Sequence, residues 1–168
     1  IDKGIAVEND SIKLAEEVLK MGAMSKNEQD FENEYLTGTP DVLNDDFVLD
    51  VKSSYDATTF PWFKKDIPNK DYFYQLQGYM ELTGRRKAFL VYCLVDTPSD
   101  IVEDEVRRVH YKLKEIDDNP IVRNAVEMQH NFDRVPKEHR IKCYEIDYDA
   151  ETIEKIYNRV KECREYYE

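Results

Sequence analysis

The order of apolar patterns along this chain predicts a mixed α/β fold, a central sheet flanked by helices. Two observations carry that expectation: a short acidic hairpin follows an amphipathic helix, and the run from Lys87 to Val95 is continuously apolar, as a strand buried on both faces should be. From Ile5 to Lys20 the residues Ile12, Ala15, Val18 and Leu19 recur at helical spacing, and Gly22 is placed to stop the helix. Residues 30 to 36 suit a strand, and residues 39 to 43 and 47 to 53 suit the two arms of a hairpin. Residues 54 to 70 hold Pro61, Pro68, Phe60, Trp62 and Phe63, which reads as a long ordered loop rather than a linker. A helix is expected from Asp71 to Thr83, with Gly84 ending it. Beyond the apolar strand come a charged helix from Ser99 to Ile116, a helix from Pro120 to Asn131, a strand from Arg140 to Asp147 and a last helix from Ala150 onward. No repeat or low-complexity tract interrupts the series.

Length and composition narrow the classes. With 168 residues, of which 41% are hydrophobic and 36% charged, the chain suits one domain with a real core, expected to span residues 1–168. No apolar run approaches the ~18 residues of a membrane helix, and no signal-peptide pattern opens the chain. The first residue is Ile1, and Asp2-Lys3-Gly4 leads almost directly into a helical pattern, which leaves room for residues upstream. Cys93, Cys143 and Cys163 are odd in number and widely spaced, so reduced, partly buried thiols and a cytoplasmic location are expected. An iron-sulfur cluster normally takes four Cys, so none is expected from this chain. The net charge of −12 sits awkwardly with phosphate binding, which relies on Lys and Arg. A local basic path within an acidic exterior would reconcile the two, and Lys64, Lys65 and Lys70 in the loop and Arg85, Arg86 and Lys87 after the helix are its candidates.

The most informative stretch is Thr39-Pro-Asp-Val-Leu-Asn-Asp-Asp-Phe-Val-Leu-Asp-Val-Lys52. If Asp45 and Asp46 form a two-residue loop, a favoured hairpin length, Asp41 faces Asp50 across the strands. Side chains alternate along a strand, so Lys52 shares the face of Asp50. Opposed carboxylates repel unless a cation lies between them, and hard oxygen ligands suit Mg²⁺ or Mn²⁺. The plain alternative is a solvated strand end.

The Gly-Thr-Pro-Asp41 and Asp50-Val-Lys52 segments resemble the PD-(D/E)XK nuclease signature, and within that superfamily the chain looks most like phage-type recombination exonucleases related to lambda exonuclease (the YqaJ-like domain). Three further segments support the resemblance. Gly4-Ile-Ala-Val-Glu8 is similar to the family's early Gly-xxx-Glu element; Gln75-Leu-Gln77-Gly-Tyr79 is similar to its Gln-bearing helix; and Leu90 to Val95 follows as the next core strand should. The match is strongest over residues 4–96, with 97–168 supplying closing helices and a strand. Asp50 departs from the Glu that many relatives carry, and the family's 5′-phosphate pocket draws in part on residues upstream of Gly4.

The resemblance implies a restriction-endonuclease-like fold and a Mg²⁺-dependent deoxyribonuclease, with Mn²⁺ as a substitute. Asp41, Asp50 and the Val51 carbonyl would be ligands and Glu8 a further one. Lys52 would act on the attacking water, Gln75 would help place it, and Tyr79 and Gln77 would support the site from behind. The implied substrate is a duplex DNA end degraded 5′ to 3′, leaving a 3′ single strand for an annealing protein; relatives often form a ring-shaped trimer. Lys64, Lys65, Arg85 and Arg86 are the first candidates for DNA contact. Two other readings stand beside this one: a single-strand or flap nuclease like the RecB and Cas4 groups, and a silent DNA-binding or interaction module of the same fold. His110, His130 and His139 lack metal-ligand spacing and are read as structural or exposed. Phe60, Trp62 and Phe63 are read as a loop anchored in the core, with stacking on an unpaired base as the functional alternative.

Overall fold

The computed structural model describes residues 2–114 and 118–167. Its helices are α1 Asp2–Ala6, α2 Glu8–Leu19, α3 Lys70–Thr83, α4 Ser99–Leu113, α5 Pro120–His130 and α6 Ala150–Tyr167. Its strands are β1 Phe31–Glu32, β2 Thr37–Gly38, β3 Val42–Leu43, β4 Val48–Ser53, β5 Lys87–Cys93 and β6 Ile141–Asp147, with one 3-10 turn at Lys137–His139. The expected α/β architecture is present: a four-stranded mixed sheet in the order β3-β4-β5-β6 is flanked by helices, and β1 and β2 form a separate antiparallel pair. The Leu94 N–H donates to the Arg140 carbonyl at 2.8 Å and the Tyr148 N–H to the Arg86 carbonyl at 3.0 Å, so β5 and β6 run antiparallel.

Four elements differ from the sequence reading. The first helix begins earlier, as α1, and passes into α2 through Val7, whose N–H still bonds the Lys3 carbonyl at 3.0 Å. It ends at Lys20, which itself takes the left-handed cap position (φ 53°), ahead of Gly22 (φ 97°). The strand expected over 30 to 36 is cut short after Glu32, because the Asn33 side chain accepts from the N–H groups of Tyr35 and Leu36 and turns the chain into β2. The first hairpin arm forms a ladder only at Val42–Leu43: Pro40 has no N–H to donate, and the Asp41 carbonyl is taken by Asn27. The charged helix ends at Leu113, with Lys114 as its left-handed cap; the expected end at Ile116 lies outside the described residues.

The chain divides into two compact units that interleave in sequence: Ile1–Ala23 with Val51–Trp62 and Tyr92–Lys142, and Met24–Asp50 with Phe63–Val91 and Cys143–Glu168. In the first, Phe60, Leu94 and Phe132 form a buried cluster to which Ala57, Tyr92 and Val135 add. In the second, Phe47 and Phe89 meet edge to face at 5.1 Å, and Leu76, Met80 and Leu90 are fully buried. None of the described helices is long and apolar enough to cross a membrane.

Candidate active site

The hairpin folds as its loop length demands. The Asn44 N–H donates to the Phe47 carbonyl at 3.2 Å, and the Asn44 side chain accepts from the N–H groups of Asp46 and Phe47, so Asp45 and Asp46 form the two-residue turn. Val42 pairs with Leu49 and Leu43 with Val48. The paired residues end there, with Asp41 the residue before Val42 on one arm and Asp50 the residue after Leu49 on the other. Asn27 holds the Asp41 end: its N–H bonds the Asp41 carbonyl at 2.8 Å and its side-chain amide bonds the Pro40 carbonyl at 2.9 Å. Asp41 is half-buried, whereas Asp50 is 1% exposed. Lys52 follows two residues later on β4, on the strand face of Asp50, and is half-buried. Glu8 is the first residue of α2 and half-buried.

On α3, Gln75 and Tyr79 stand four residues apart and are joined by a bond from the Gln75 amide to the Tyr79 hydroxyl at 2.7 Å. The Tyr79 ring lies against Gly38, where an added Cβ would come within 2.6 Å of Tyr79 Cε1. Glycine is therefore the residue that lets α3 approach the chain just ahead of Thr39, Pro40 and Asp41. Gln77 has a different duty from the one its neighbours suggest. It is fully buried, its amide donates to the Asp147 carbonyl and its carbonyl accepts from the Asp149 N–H, both at 2.8 Å, so it staples the β6–α6 junction.

The DNA-contact candidates are spread among different roles. Lys64 and Lys65 are exposed, and the Lys64 carbonyl accepts from the Tyr144 hydroxyl at 3.1 Å. Arg85 is half-buried and donates to the carbonyls of Asn44 and Thr83, bracing the hairpin turn. The Arg86 guanidinium lies 3.9 Å from the centre of the Tyr148 ring. A cleft of about 840 Å³ beside β6 holds Lys65 and Lys70, but Asp66, Glu145, Asp147 and Asp149 line it as well, so it is no basic groove. In the loop, Phe60 is buried as anchor, the Trp62 indole N–H donates to the Ala57 carbonyl at 2.7 Å, and Phe63 is 96% exposed.

The sulfur and histidine expectations resolve unevenly. Cys93 is buried and Cys143 half-buried, but Cys163 is exposed, in a stretch of α6, residues 161–166, that is exposed throughout. Burial pushes the Cys143 thiol up to about 11. His110 and His130 are buried and bonded to Val106 and Thr97, and His139 is exposed.

Among the described residues, no group of three or more His, Cys, Asp and Glu side chains is gathered so as to hold a metal ion. The expected ligand set of Glu8, Asp41 and Asp50 is therefore not a preformed cluster of three. What the hairpin offers is two hard carboxylates, Asp41 and Asp50, next to its last strand pair. That set fits Mg²⁺, which keeps several waters and binds proteins through one or two carboxylates, and it does not resemble a closed structural site.

No protein-family model matches the chain, and no curated protein matches it significantly. Solved structures do. The restriction-endonuclease-like fold read from the motifs is the fold of these neighbours. A phage-related exonuclease from Haemophilus somnus 129PT aligns with a TM-score of 0.78 and 28% identity, over 99% of this chain and 69% of that one. An alkaline exonuclease from Laribacter hongkongensis aligns with a TM-score of 0.59 and 17% identity, over 94% of this chain and 62% of its own length. The same enzyme in complex with dAMP gives 0.60 and 18%, over 95% and 63%. This chain thus spans about two thirds of the length of each. The resemblance to phage-type recombination exonucleases, drawn from short motifs, extends over nearly the whole chain.

Proposed function

We propose that this protein is a Mg²⁺-dependent DNA exonuclease whose cleavage site is built on the β3–β4 hairpin. The observation that carries the reading is the hairpin itself, whose last pair, Val42 with Leu49, adjoins Asp41 on one arm and Asp50 on the other, with Lys52 two residues on. The phage-related exonuclease that aligns over 99% of the chain supports it, and the dAMP complex of the alkaline exonuclease gives a nucleotide ligand for the same fold.

Asp41, Asp50 and the Val51 carbonyl would hold the cation, with Glu8 reaching it through water. When bound, the cation acidifies water and neutralises charge on the phosphate. The rest falls to the chain. Lys52 directs a hydrogen bond at the attacking water and, as an ammonium, offsets negative charge that builds on the phosphoryl oxygens. By the family resemblance Gln75 would help place Lys52 or the water; within α3 its amide is held on the Tyr79 hydroxyl. Desolvation around Asp50 strengthens each of these interactions. The substrate is a duplex DNA end, shortened from its 5′ side to leave a 3′ strand for an annealing protein. Assembly as a ring-shaped trimer would gather Lys64 and Lys65 from several copies around the DNA.

Linear duplex labelled separately at each 5′ and 3′ end tests this, digested with Mg²⁺ or EDTA by the wild type and by Lys52→Ala. Metal-dependent release of the 5′ label that Lys52→Ala abolishes is expected. Activity confined to single strands or flaps would replace the duplex-end reading with the RecB-like one, and no cleavage of any DNA would remove the enzyme reading.

A further inference from the structure

Lys3 is 3% exposed. Its ammonium donates to the carbonyls of Ser54 at 2.8 Å and Tyr55 at 2.9 Å, and lies 5.4 Å from the centre of the Phe132 ring. Burial lowers its pKa to about 8, against the pull of Asp56 and Asp96; the Lys3 charge in turn adds to the burial that holds His130 on α5 below its usual value. An apolar side chain such as Met would fill the volume without that desolvation, so a lysine here calls for a specific reason.

The reason lies in what it grips. Ser54 and Tyr55 are the first residues past β4, and the segment is fixed from other sides too. The Ser53 and Ser11 hydroxyls are 2.7 Å apart, the Ser54 N–H bonds the Cys93 carbonyl at 2.9 Å, and the Cys93 thiol bonds the Ser11 carbonyl at 3.5 Å. Three consecutive residues immediately after Lys52 are therefore tied down, two of them by one buried ammonium.

We propose that Lys3 is a positioning residue for Lys52: by tying α1 to the backbone just beyond β4, it fixes where that strand presents the Lys52 side chain. This rests on the reading of Lys52 as a participant in cleavage. An error of about 1 Å in placing such a group can slow chemistry by on the order of a hundredfold while leaving substrate binding intact. Lys3 acts through the chain, by way of the Ser54 and Tyr55 carbonyls that it holds.

The test uses Lys3→Met and Lys3→Arg, with kcat and KM on linear duplex DNA and amide hydrogen exchange read at residues 53–55. Lys3→Met is expected to lower kcat by about tenfold to a hundredfold with KM within about twofold, and to speed exchange at 53–55 only. Lys3→Arg, which keeps charge and donors, is expected to recover part of kcat. Unchanged kcat or unchanged exchange in Lys3→Met would overturn the proposal, as would exchange speeded throughout α1 and α2, which would make Lys3 a general stabiliser. If the wild type cleaves no DNA, the nuclease reading falls and with it the effect on Lys52, while the exchange result still decides whether the clamp exists.

Discussion

Asp50 on β4 and Gln77 on α3 are both buried polar side chains, 1% and 0% exposed, yet they make opposite use of burial. Gln77 is neutral, and both ends of its amide meet main-chain partners at 2.8 Å. Such a group stabilises the fold by meeting two main-chain groups at the β6–α6 junction while its own polar atoms stay satisfied. Asp50 sets an acidic side chain in a buried strand, next to the Val42–Leu49 pair that Asp41 adjoins on the other arm, and burial of a carboxylate is costly on its own. A buried amide met at both ends serves the architecture, whereas a buried acid with a second acid close by in the hairpin is where a cation is to be sought.

The sharpest way to break this comparison is to neutralise Asp50. Asp50→Asn is expected to lower DNA cleavage by about a thousandfold, equivalent to ~4 kcal/mol, while the unfolding free energy in urea stays level or rises by up to about 1 kcal/mol. Lost activity together with lost stability would make Asp50 a structural residue instead. Gln77→Ala is expected to do the reverse: about 2 kcal/mol of stability lost in urea, because two hydrogen bonds to the main chain of the β6–α6 junction go with the side chain, and kcat changed by less than about fivefold. An effect of comparable size, ~1–3 kcal/mol, is expected from Gly38→Ala, which forces the Tyr79 ring away from β2. Here kcat should fall as well, since the Gln75–Tyr79 bond is disturbed; an unchanged rate would detach that pair from the chemistry.

The smallest effect concerns pH. Lys3 has a pKa of about 8 in the folded chain and near 10.5 when unfolded, so between those values the unfolded chain holds a proton that the folded one has released. Stability from this residue therefore rises as pH climbs through the window. Cys143, raised from 9.0 to about 11, works the other way, because the folded chain keeps its proton while the unfolded one loses it. Subtracting the stability curve of Lys3→Met from that of the wild type cancels Cys143 and should leave a rising difference from about pH 8; a flat difference would show that Lys3 is not desolvated.

How far the sequence alone reaches follows the range of the interactions involved. The hairpin is readable because loop length and strand alternation are local rules, and Asp45-Asp46 obeys them. Helix α3 is readable for the same reason, its start set by the Asn69 side chain on the Asp71 N–H and its end by Gly84 at φ 73°. Asn27, which braces Asp41, is not, since Pro40 and Asp41 lie more than ten residues from it and no pattern announces those bonds. Gln77 reads from sequence as a support of the site because helix spacing gives a face but not the strand end that it meets. Lys3 does leave a trace: with Val7, Ser11 and Ala15 it extends a buried stripe at four-residue spacing, and a lysine in an otherwise uncharged stripe marks a buried ammonium that must find acceptors.

The claim on which the rest depends is that Asp41 and Asp50 together hold a divalent cation. Titration of Mn²⁺ followed by electron paramagnetic resonance, on the wild type, Asp41→Asn and Asp50→Asn, tests it without reference to any DNA. Binding by the wild type that either substitution removes is the predicted result. Equal binding by all three proteins, or none by the wild type, would contradict it.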